Sequence, residues 1–386
     1  MIPLRGELYP INCKHIIPIQ PQDLRVIEYI NKIIGETGDK ISPPENQDPL
    51  LKQILSFLLP ENAFHELGNS HYHVIVSKKG EIVAFFAKKI LPNVLEHILR
   101  LNHLRALSIQ LGNVIFDDLE KWLTLKPIEF LHIESDETVF SDNLQIANMP
   151  YLKHLSISFK SSQPLDIQGL NSLVFLSING PDLTLHELPS LKTFCINDLY
   201  SYTILHPKKF RSLATIAIRN AYDLHENTWL QELPNLQELY VHNSPIAIET
   251  ISNLSLKTLS ITDVLMPVLD IPPQMELKHL IINRCRVQQI KNLPPSLETL
   301  DLANNLITQI PPLTGFDNLQ ILSLQDNRID GENTPSFFPP SLRMVNLQGN
   351  PIKFLNQEFL KQLKGIPVVL LPGIIPNSIQ VSQESA

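Results

Sequence analysis

The sequence is short of cysteine, of positive charge and of long apolar runs, and each shortage excludes a class of protein. Three widely spaced cysteines in 386 residues, Cys13, Cys195 and Cys285, argue against a disulfide framework and favour a reducing compartment. Lysine and arginine number 31 against 39 acidic residues, and the resulting net charge of -8 does not favour nucleic acid as a partner. No apolar run reaches about 18 residues, so we predict no membrane insertion.

The sequence also lacks the motifs that usually carry secretion and catalysis. The N-terminal stretch MIPLRGELYPINCKH has early prolines and no apolar core, so we predict no Sec-type signal and a cytoplasmic location. The nucleophile-elbow, zinc-protease, phosphate-loop and dinucleotide-binding motifs are absent, so we predict no enzyme activity, no cofactor and no metal. His71 and His73, with His65 nearby, are too few for a metal site. An enzyme with an unrecognised site in the N-terminal region stays an alternative.

What the sequence does contain is a repeat. The stretch LETLDLANN from Leu297 follows the pattern L-x-x-L-x-L-x-x-N, and LQILSLQDN from Leu319 and LRMVNLQGN from Leu342 repeat it. We number the positions of this pattern as places one to nine. Earlier copies match more weakly, and their starts lie between 18 residues (Leu173 to Leu191) and 24 residues (Leu104 to Ile128) apart. The nine earlier copies start at Leu104, Ile128, Leu152, Leu173, Leu191, Leu213, Leu236, Leu256 and Leu277.

This pattern resembles the leucine-rich repeat family, whose turns stack into an α/β solenoid. The resemblance implies a horseshoe with a parallel concave sheet of about twelve strands, one for each copy. Places four and six are apolar in every copy, as strand positions that point into a core require. In the family the asparagine at place nine bonds backbone groups of adjacent turns. Only Asn305, Asn327 and Asn350 supply it here, with Cys285 the allowed substitute, so we expect the middle turns to be less regular.

Prolines mark the points where the chain enters the strands. Five of them stand two residues before place one: Pro150, Pro189, Pro234, Pro295 and Pro340. Because proline gives no N–H to a ladder and the repeats are short, we expect extended or 3₁₀ segments on the convex side. Short repeats with such prolines look most like the leucine-rich effectors of bacterial pathogens. That resemblance implies a virulence effector that binds a host protein after delivery to the host cytosol by a non-Sec system.

The repeat divides the chain into three predicted domains. We expect a helical or mixed N-terminal cap domain over 1–96, repeats over 97–350, and a C-terminal cap with a polar tail over 351–386. Within the first domain, YHVIVSKKGEIVAFF predicts a β-hairpin. Within the C-terminal cap, PIKFLNQEFLKQLKGIPVVLLPG predicts one helix and a final strand.

One segment of the N-terminal domain resembles an F-box, the helical module that binds the ubiquitin-ligase adaptor Skp1. The stretch DPLLKQILSFLL carries the resemblance, at Pro49, Leu50, Leu51, Ile54, Leu55, Phe57 and Leu58. Asp48 replaces the leucine that usually precedes the proline, and the usual tryptophan is absent. The resemblance implies, as an alternative function, a substrate receptor that brings a target to a Skp1-containing ubiquitin ligase. The other interpretation is a helix that only caps the solenoid.

The concave sheet of a solenoid is its usual binding surface, and we predict a protein partner on places three, five, seven and eight. Aromatic and arginine side chains, which are enriched at binding hot spots, cluster there in two zones. The first zone is Phe130, His132, His154, Phe159 and Phe175. The second zone is Arg219, Glu238, Tyr240, His242, His279 and Arg284. We expect the centre of the interface at the first four residues of the second zone.

Overall fold

A computed structural model describes most of the chain between residues 65 and 372. The described residues are 65–68, 72–76, 82–90, 98–111, 123, 126–139, 145–161, 163–180, 182–198, 202–204, 206–221, 228–331, 337–352 and 357–372. The chain divides into two compact units, Met1–Leu170 and Asn171–Ala386. The F-box-like segment, Cys13 and His71 lie outside the described residues.

The first unit begins with antiparallel strands. β1 (His65–Gly68) pairs with β2 (Tyr72–Val76), and β2 pairs with β3 (Ile82–Ile90), which confirms the predicted hairpin. β3 then pairs in parallel with the first repeat strand, so one ladder runs from the hairpin into the repeats. The remaining strands are β4 (Ala106–Leu111), β5 (Phe130–Val139), β6 (Gln145–Ile146), β7 (His154–Ser161) and β8 (Leu165–Ile167). β4, β5 and β7 form the parallel ladder, and β6 pairs with β8 separately.

The second unit repeats one strand in each turn. Its strands are β9 (Phe175–Asn179), β10 (Leu183–Leu185), β11 (Thr193–Asn197), β12 (Tyr202–Ile204), β13 (Thr215–Arg219), β14 (Glu238–His242), β15 (Thr258–Thr262), β16 (Val268–Asp270), β17 (His279–Asn283), β18 (Gln289–Asn292), β19 (Thr299–Asp301), β20 (Ile321–Ser323), β21 (Met344–Asn346) and β22 (Val368–Leu370). The main parallel ladder runs β9, β11, β13, β14, β15, β17, β19, β20, β21, β22. Each of the twelve predicted copies therefore contributes a strand, and β22 is the predicted final strand.

The segments between the repeat strands contain little helix. In the described part of the second unit they hold the short strand pairs β10 with β12 and β16 with β18. The helices are a 3₁₀ turn at Pro207–Lys209, α1 (Thr228–Gln231), α2 (Ile248–Ile251) and α3 (Gln357–Leu363). The structure therefore has the predicted fold, a leucine-rich repeat solenoid with short, mostly extended connections. Helix α3 is the predicted helix of the C-terminal cap.

The core is a set of stacked columns. In the second unit every place-four and place-six side chain is at most 2% exposed, from Leu176 and Ile178 on β9 to Val345 and Leu347 at β21. The ladder register pairs residues that occupy the same place in adjacent copies, for example Leu239 with Leu259 and Leu259 with Leu280. Burying each such side chain contributes about 1.5–3 kcal/mol, so these columns supply the main stabilisation of every turn.

The expected irregularity of the middle turns is wrong for their strands. β9, β11, β13, β14, β15 and β17 have five residues each, whereas β19, β20 and β21 have three. The strand depends on the inward places four and six, which are apolar in every copy. Place nine lies beyond the strand, so the loss of its asparagine does not disturb the ladder.

Candidate interaction surface

A left-handed residue follows each repeat strand of the second unit. Place eight has positive φ in all nine of its copies, from 45° at Asn243 to 103° at Gly180. The occupants are Gly180, Asp198, Asn220, Asn243, Asp263, Arg284, Asn304, Asp326 and Gly349. Eight of the nine are glycine, asparagine or aspartate, the residues that tolerate this conformation. Arg284 is the exception, and a left-handed backbone costs such a residue about 1–2 kcal/mol.

The side chains of this place-eight row are hydrogen-bonded from turn to turn. Asn220 Nδ2 donates to Asp198 Oδ1 at 2.8 Å, and Asn243 Nδ2 donates to Asn220 Oδ1 at 2.8 Å. Farther along, Arg284 donates twice to Asp263, from Nε to Oδ1 at 2.7 Å and from Nη2 to Oδ2 at 2.6 Å. The recurrence of glycine, asparagine and aspartate at place eight was a signal in the sequence, and it was missed there.

The outward positions of β14 carry three of the predicted site residues. Glu238, Tyr240 and His242 alternate with buried residues along the strand, and all three are half-buried. The ladder register places Ala217 of β13 and Ser260 of β15 beside Tyr240. Both neighbours are small, so the half-buried tyrosine is the largest of the three side chains at place five of these adjacent strands.

Glu238 organises the polar groups around this ring. Its Oε2 accepts hydrogen bonds from Thr215 Oγ1 at 3.2 Å and from Tyr240 Oη at 3.4 Å. Burial raises the pKa of Tyr240, and the charge and hydrogen bond of Glu238 raise it further. The phenol therefore stays protonated at neutral pH and keeps its hydrogen-bonding capacity.

The other end of β14 meets the place-eight row. His242 lies beside Arg219 on one side and Thr262 on the other, and its Nδ1 is 2.9 Å from Thr262 Oγ1. The same nitrogen is 3.2 Å from Asp263 Oδ2. Hydrogen bonds from Arg284 lower the pKa of Asp263, and the Arg284 and His242 charges lower it further, so this carboxylate is charged at neutral pH. Asp263, absent from the predicted set, is the residue that joins His242 to Arg284.

The structure separates His279 from this group. His279 is at place three of β17, beside Thr258, and Thr258 in turn is beside Glu238. It therefore lies on the same face as Glu238, two strands away. We define the β14 centre as Arg219, Glu238, Tyr240 and His242, which the structure brings onto two adjacent strands.

Two of the five residues of the first predicted zone are buried, and the other three are half-buried. Phe130 is 6% exposed and Phe159 is 3% exposed, so the expected exposure of both rings is wrong. A phenylalanine gains about 1.5–3 kcal/mol from burial, which favours turning the ring inward even from an outward place. His154 stacks on Phe130 with ring centroids 6.0 Å apart, and burial, helped by the Lys153 charge, lowers its pKa to about 4. His132 is half-buried in the first unit, and Phe175 is half-buried on β9 of the second.

The described residues offer little for catalysis. Cys195 is half-buried between Ser177 and Ala217, and burial raises the pKa of its thiol to about 11, so the thiolate is disfavoured at neutral pH. Over the part of the chain that the structure covers, no group of three or more histidine, cysteine, aspartate or glutamate side chains could hold a metal ion. Within the same part, no helix has the length and apolar character that crossing a membrane requires.

Comparison with known proteins finds leucine-rich repeats in one part of the chain. Residues 295–336 match the model of leucine rich repeats, in two copies. No curated protein sequence matches the chain. An internalin, InlF of Listeria monocytogenes, is similar at 16% identity and a TM-score of 0.39, over 76% of this chain and 89% of that one. YopM from Yersinia enterocolitica is similar at 18% identity and a TM-score of 0.34, over 86% of this chain and 70% of that one.

A plant receptor is also similar in structure. The peptide hormone receptor RGFR1, in complex with RGF2, has 16% identity and a TM-score of 0.39 over 77% of this chain. This chain spans 58% of the length of that receptor chain.

Proposed function

We propose that this leucine-rich repeat solenoid is a binding module, and that it holds a protein partner at the β14 centre without chemical turnover. The observation that carries the proposal is the position of Tyr240, which stands between Ala217 and Ser260 on the exposed face of the sheet. Tyrosine is a frequent hot-spot residue because it supplies a large contact area with few rotatable bonds.

The surroundings of Tyr240 suit a protein surface. Glu238 and His242 flank it on the same strand, so one apolar ring has a polar group on each side. The His242 ring directs Nδ1 towards Thr262 and Asp263, so its Nε2 makes neither contact and can bond a partner. The backbone ladder fixes the strands that carry these side chains, so binding need not order the backbone.

The biological role that we propose is that of a bacterial effector which binds a host protein in the host cytosol. The support is the resemblance of the short repeats and their prolines to the leucine-rich effectors of pathogens. The F-box alternative rests on residues 49–58, which the structure does not describe. A pull-down with purified Skp1 decides that alternative, because absence of binding removes it.

Affinity capture tests the binding site. The full chain, immobilised, is exposed to eukaryotic and to bacterial lysates, and retained proteins are identified by mass spectrometry. Tyr240→Ala combined with His242→Ala should reduce capture of the partner by at least about tenfold, because each hot-spot truncation costs about 1–2 kcal/mol. The unfolding free energy should change by less than about 1 kcal/mol.

A matched pair of substitutions controls for nonspecific damage. Ser323 and Gln325 occupy the same places five and seven in the turn of β20. Ser323→Ala with Gln325→Ala should leave capture intact. Capture that survives the loss of Tyr240 and His242 would place the binding site elsewhere.

A further inference from the structure

A charged surface lies next to the β14 centre, on the loops that follow β15 and β17. We call it the rim patch and define it as Asp263, Leu265, Arg284 and Arg286. Leu265 is 74% exposed, the highest value among the large apolar side chains that the structure describes. Met266 N–H donates to Cys285 C=O at 2.9 Å, so the two loops run side by side and Leu265 lies close to Arg286.

Both arginines of the rim patch occupy left-handed backbone positions. Arg284 has φ 54° and Arg286 has φ 57°. The other eight copies of place eight in this unit use glycine, asparagine or aspartate, which hold the same turn with less strain. Strained non-glycine residues concentrate at functional sites, and two of them flank Cys285 here. The strain at both arginines directs attention to what their side chains can bind.

The guanidinium of Arg284 is held from one side only. Asp263 takes the Nε–H and one Nη2–H, which leaves three of the five N–H donors. The remaining donors form the outer Nη1–Nη2 edge, a fork that matches a second carboxylate. Because the Arg284 side chain is 55% exposed and already fixed by Asp263, a partner reaches this fork with little loss of side-chain freedom.

The local charge is opposite to that of the whole chain. Arg284 and Arg286 face the solvent on one turn, and Asp263, on the turn before, is the acidic residue of the rim patch. This excess of one positive charge stands on a chain whose net charge is -8. An acidic group on a partner is attracted here and repelled by most of the remaining surface.

We infer that the rim patch binds an acidic segment of the protein partner. One carboxylate of that segment takes the outer fork of Arg284, a second pairs with Arg286, and an aliphatic side chain covers Leu265. The inference rests on the proposed function and deepens it, because Asp263 links His242 of the β14 centre to Arg284. The partner therefore extends from the sheet face onto the rim.

A displayed library of random twelve-residue peptides provides the probe. Peptides are selected on the full wild-type chain, and their dissociation constants are measured with variants of matched stability. We expect selected peptides to carry aspartate or glutamate beside leucine, isoleucine or valine. Arg286→Gln should weaken them about tenfold or more, and Arg284→Gln likewise. Arg328→Gln should change binding less than about twofold, because Arg328 is an exposed place-ten arginine outside the patch.

Charge reversal sharpens the test. Arg286→Glu should lose the acidic peptides and, on reselection, yield peptides with lysine or arginine at the same position. A phosphoserine peptide that binds more tightly than its glutamate counterpart would overturn the carboxylate assignment.

The outcomes separate this inference from the proposed function. Selected peptides that depend on Tyr240 but not on Arg284 or Arg286 overturn the inference and leave the β14 centre in place. Peptides that depend on neither set, or a selection that yields no binder, overturn both.

Discussion

The middle turns and the last turns of the second unit close in different ways. In the last three turns a buried asparagine at place nine closes each turn. Asn327 Nδ2 donates to the C=O groups of Leu302 at 2.9 Å and Leu324 at 3.1 Å, and Asn327 Oδ1 accepts from Ile307 N–H at 3.0 Å. One side chain thus satisfies backbone groups of its own turn and of the turn before it.

The middle turns have weaker substitutes at the same place. Ser244 Oγ accepts from Ala221 N–H at 3.0 Å and donates to His242 C=O at 2.9 Å. Cys285 Sγ lies 3.2 Å from the Asn283 C=O and 3.4 Å from the Ile261 C=O. Ala221 and Val264 occupy the place in two other turns and have no polar side-chain atom.

The two groups of turns also differ in strand length and in the side chains that they present. The strands of the last three turns end at place five, whereas those of the middle turns continue to place seven. The longer strands hold Arg219 and His242 at their ends, beside the place-eight row. The last turns are thus closed by buried asparagines, while the middle turns present large polar side chains.

The largest expected effect tests the asparagine closure. Asn327→Ala should lower the unfolding free energy by about 2–3 kcal/mol, because the buried Ile307 N–H loses its acceptor and the carbonyls of Leu302 and Leu324 each lose one donor. Urea denaturation followed by circular dichroism measures it. Gln309→Ala, at an exposed residue of a neighbouring turn, should change stability by less than about 0.5 kcal/mol. A loss below about 1 kcal/mol for Asn327→Ala would contradict the closure.

A smaller effect is expected where serine replaces asparagine. Ser244→Ala should cost about 1–2 kcal/mol, because it removes one acceptor for Ala221 N–H and one donor to His242 C=O. Ser260→Ala, on the exposed sheet face, is the control for removal of a serine hydroxyl. If Ser244→Ala costs as much as Asn327→Ala in the same denaturation experiment, the two closures are equivalent and the comparison fails.

The smallest expected effect has the opposite sign. Arg284→Asn should raise the unfolding free energy by up to about 1 kcal/mol, because asparagine tolerates the left-handed backbone and can bond Asp263 as Asn220 bonds Asp198. The same change should weaken acidic peptides. Arg328→Asn, at a residue without positive φ, should bring no such gain. A clear loss of stability in Arg284→Asn would show that its ion pair outweighs the strain.

The sequence predicted the fold in detail but only part of the surface. An apolar residue at place four, usually leucine, and an aliphatic residue at place six define the inward side of each strand, and all twelve predicted strands are present. The repeat does not fix the exposure of the outward side chains, because its strands can form whether such a side chain is solvated or folded back onto the protein. Phe130 and Phe159 fold back and are buried, whereas Tyr240 is only half-buried. Asp263 was missed because its role depends on His242, one turn before, and Arg284, one turn after.

The sequence by itself determined the period, the inward columns and the asparagine closure of the last turns, because each depends on residues at fixed places within one copy. Only the tertiary structure decided which outward side chains meet. Stacking brings residues about 20 positions apart in sequence onto adjacent strands roughly 4.8 Å apart. That stacking joins His242, Asp263 and Arg284 and sets Tyr240 between Ala217 and Ser260. The physical reason is that core packing fixes the register of the turns, and this register determines which side chains are adjacent on the surface.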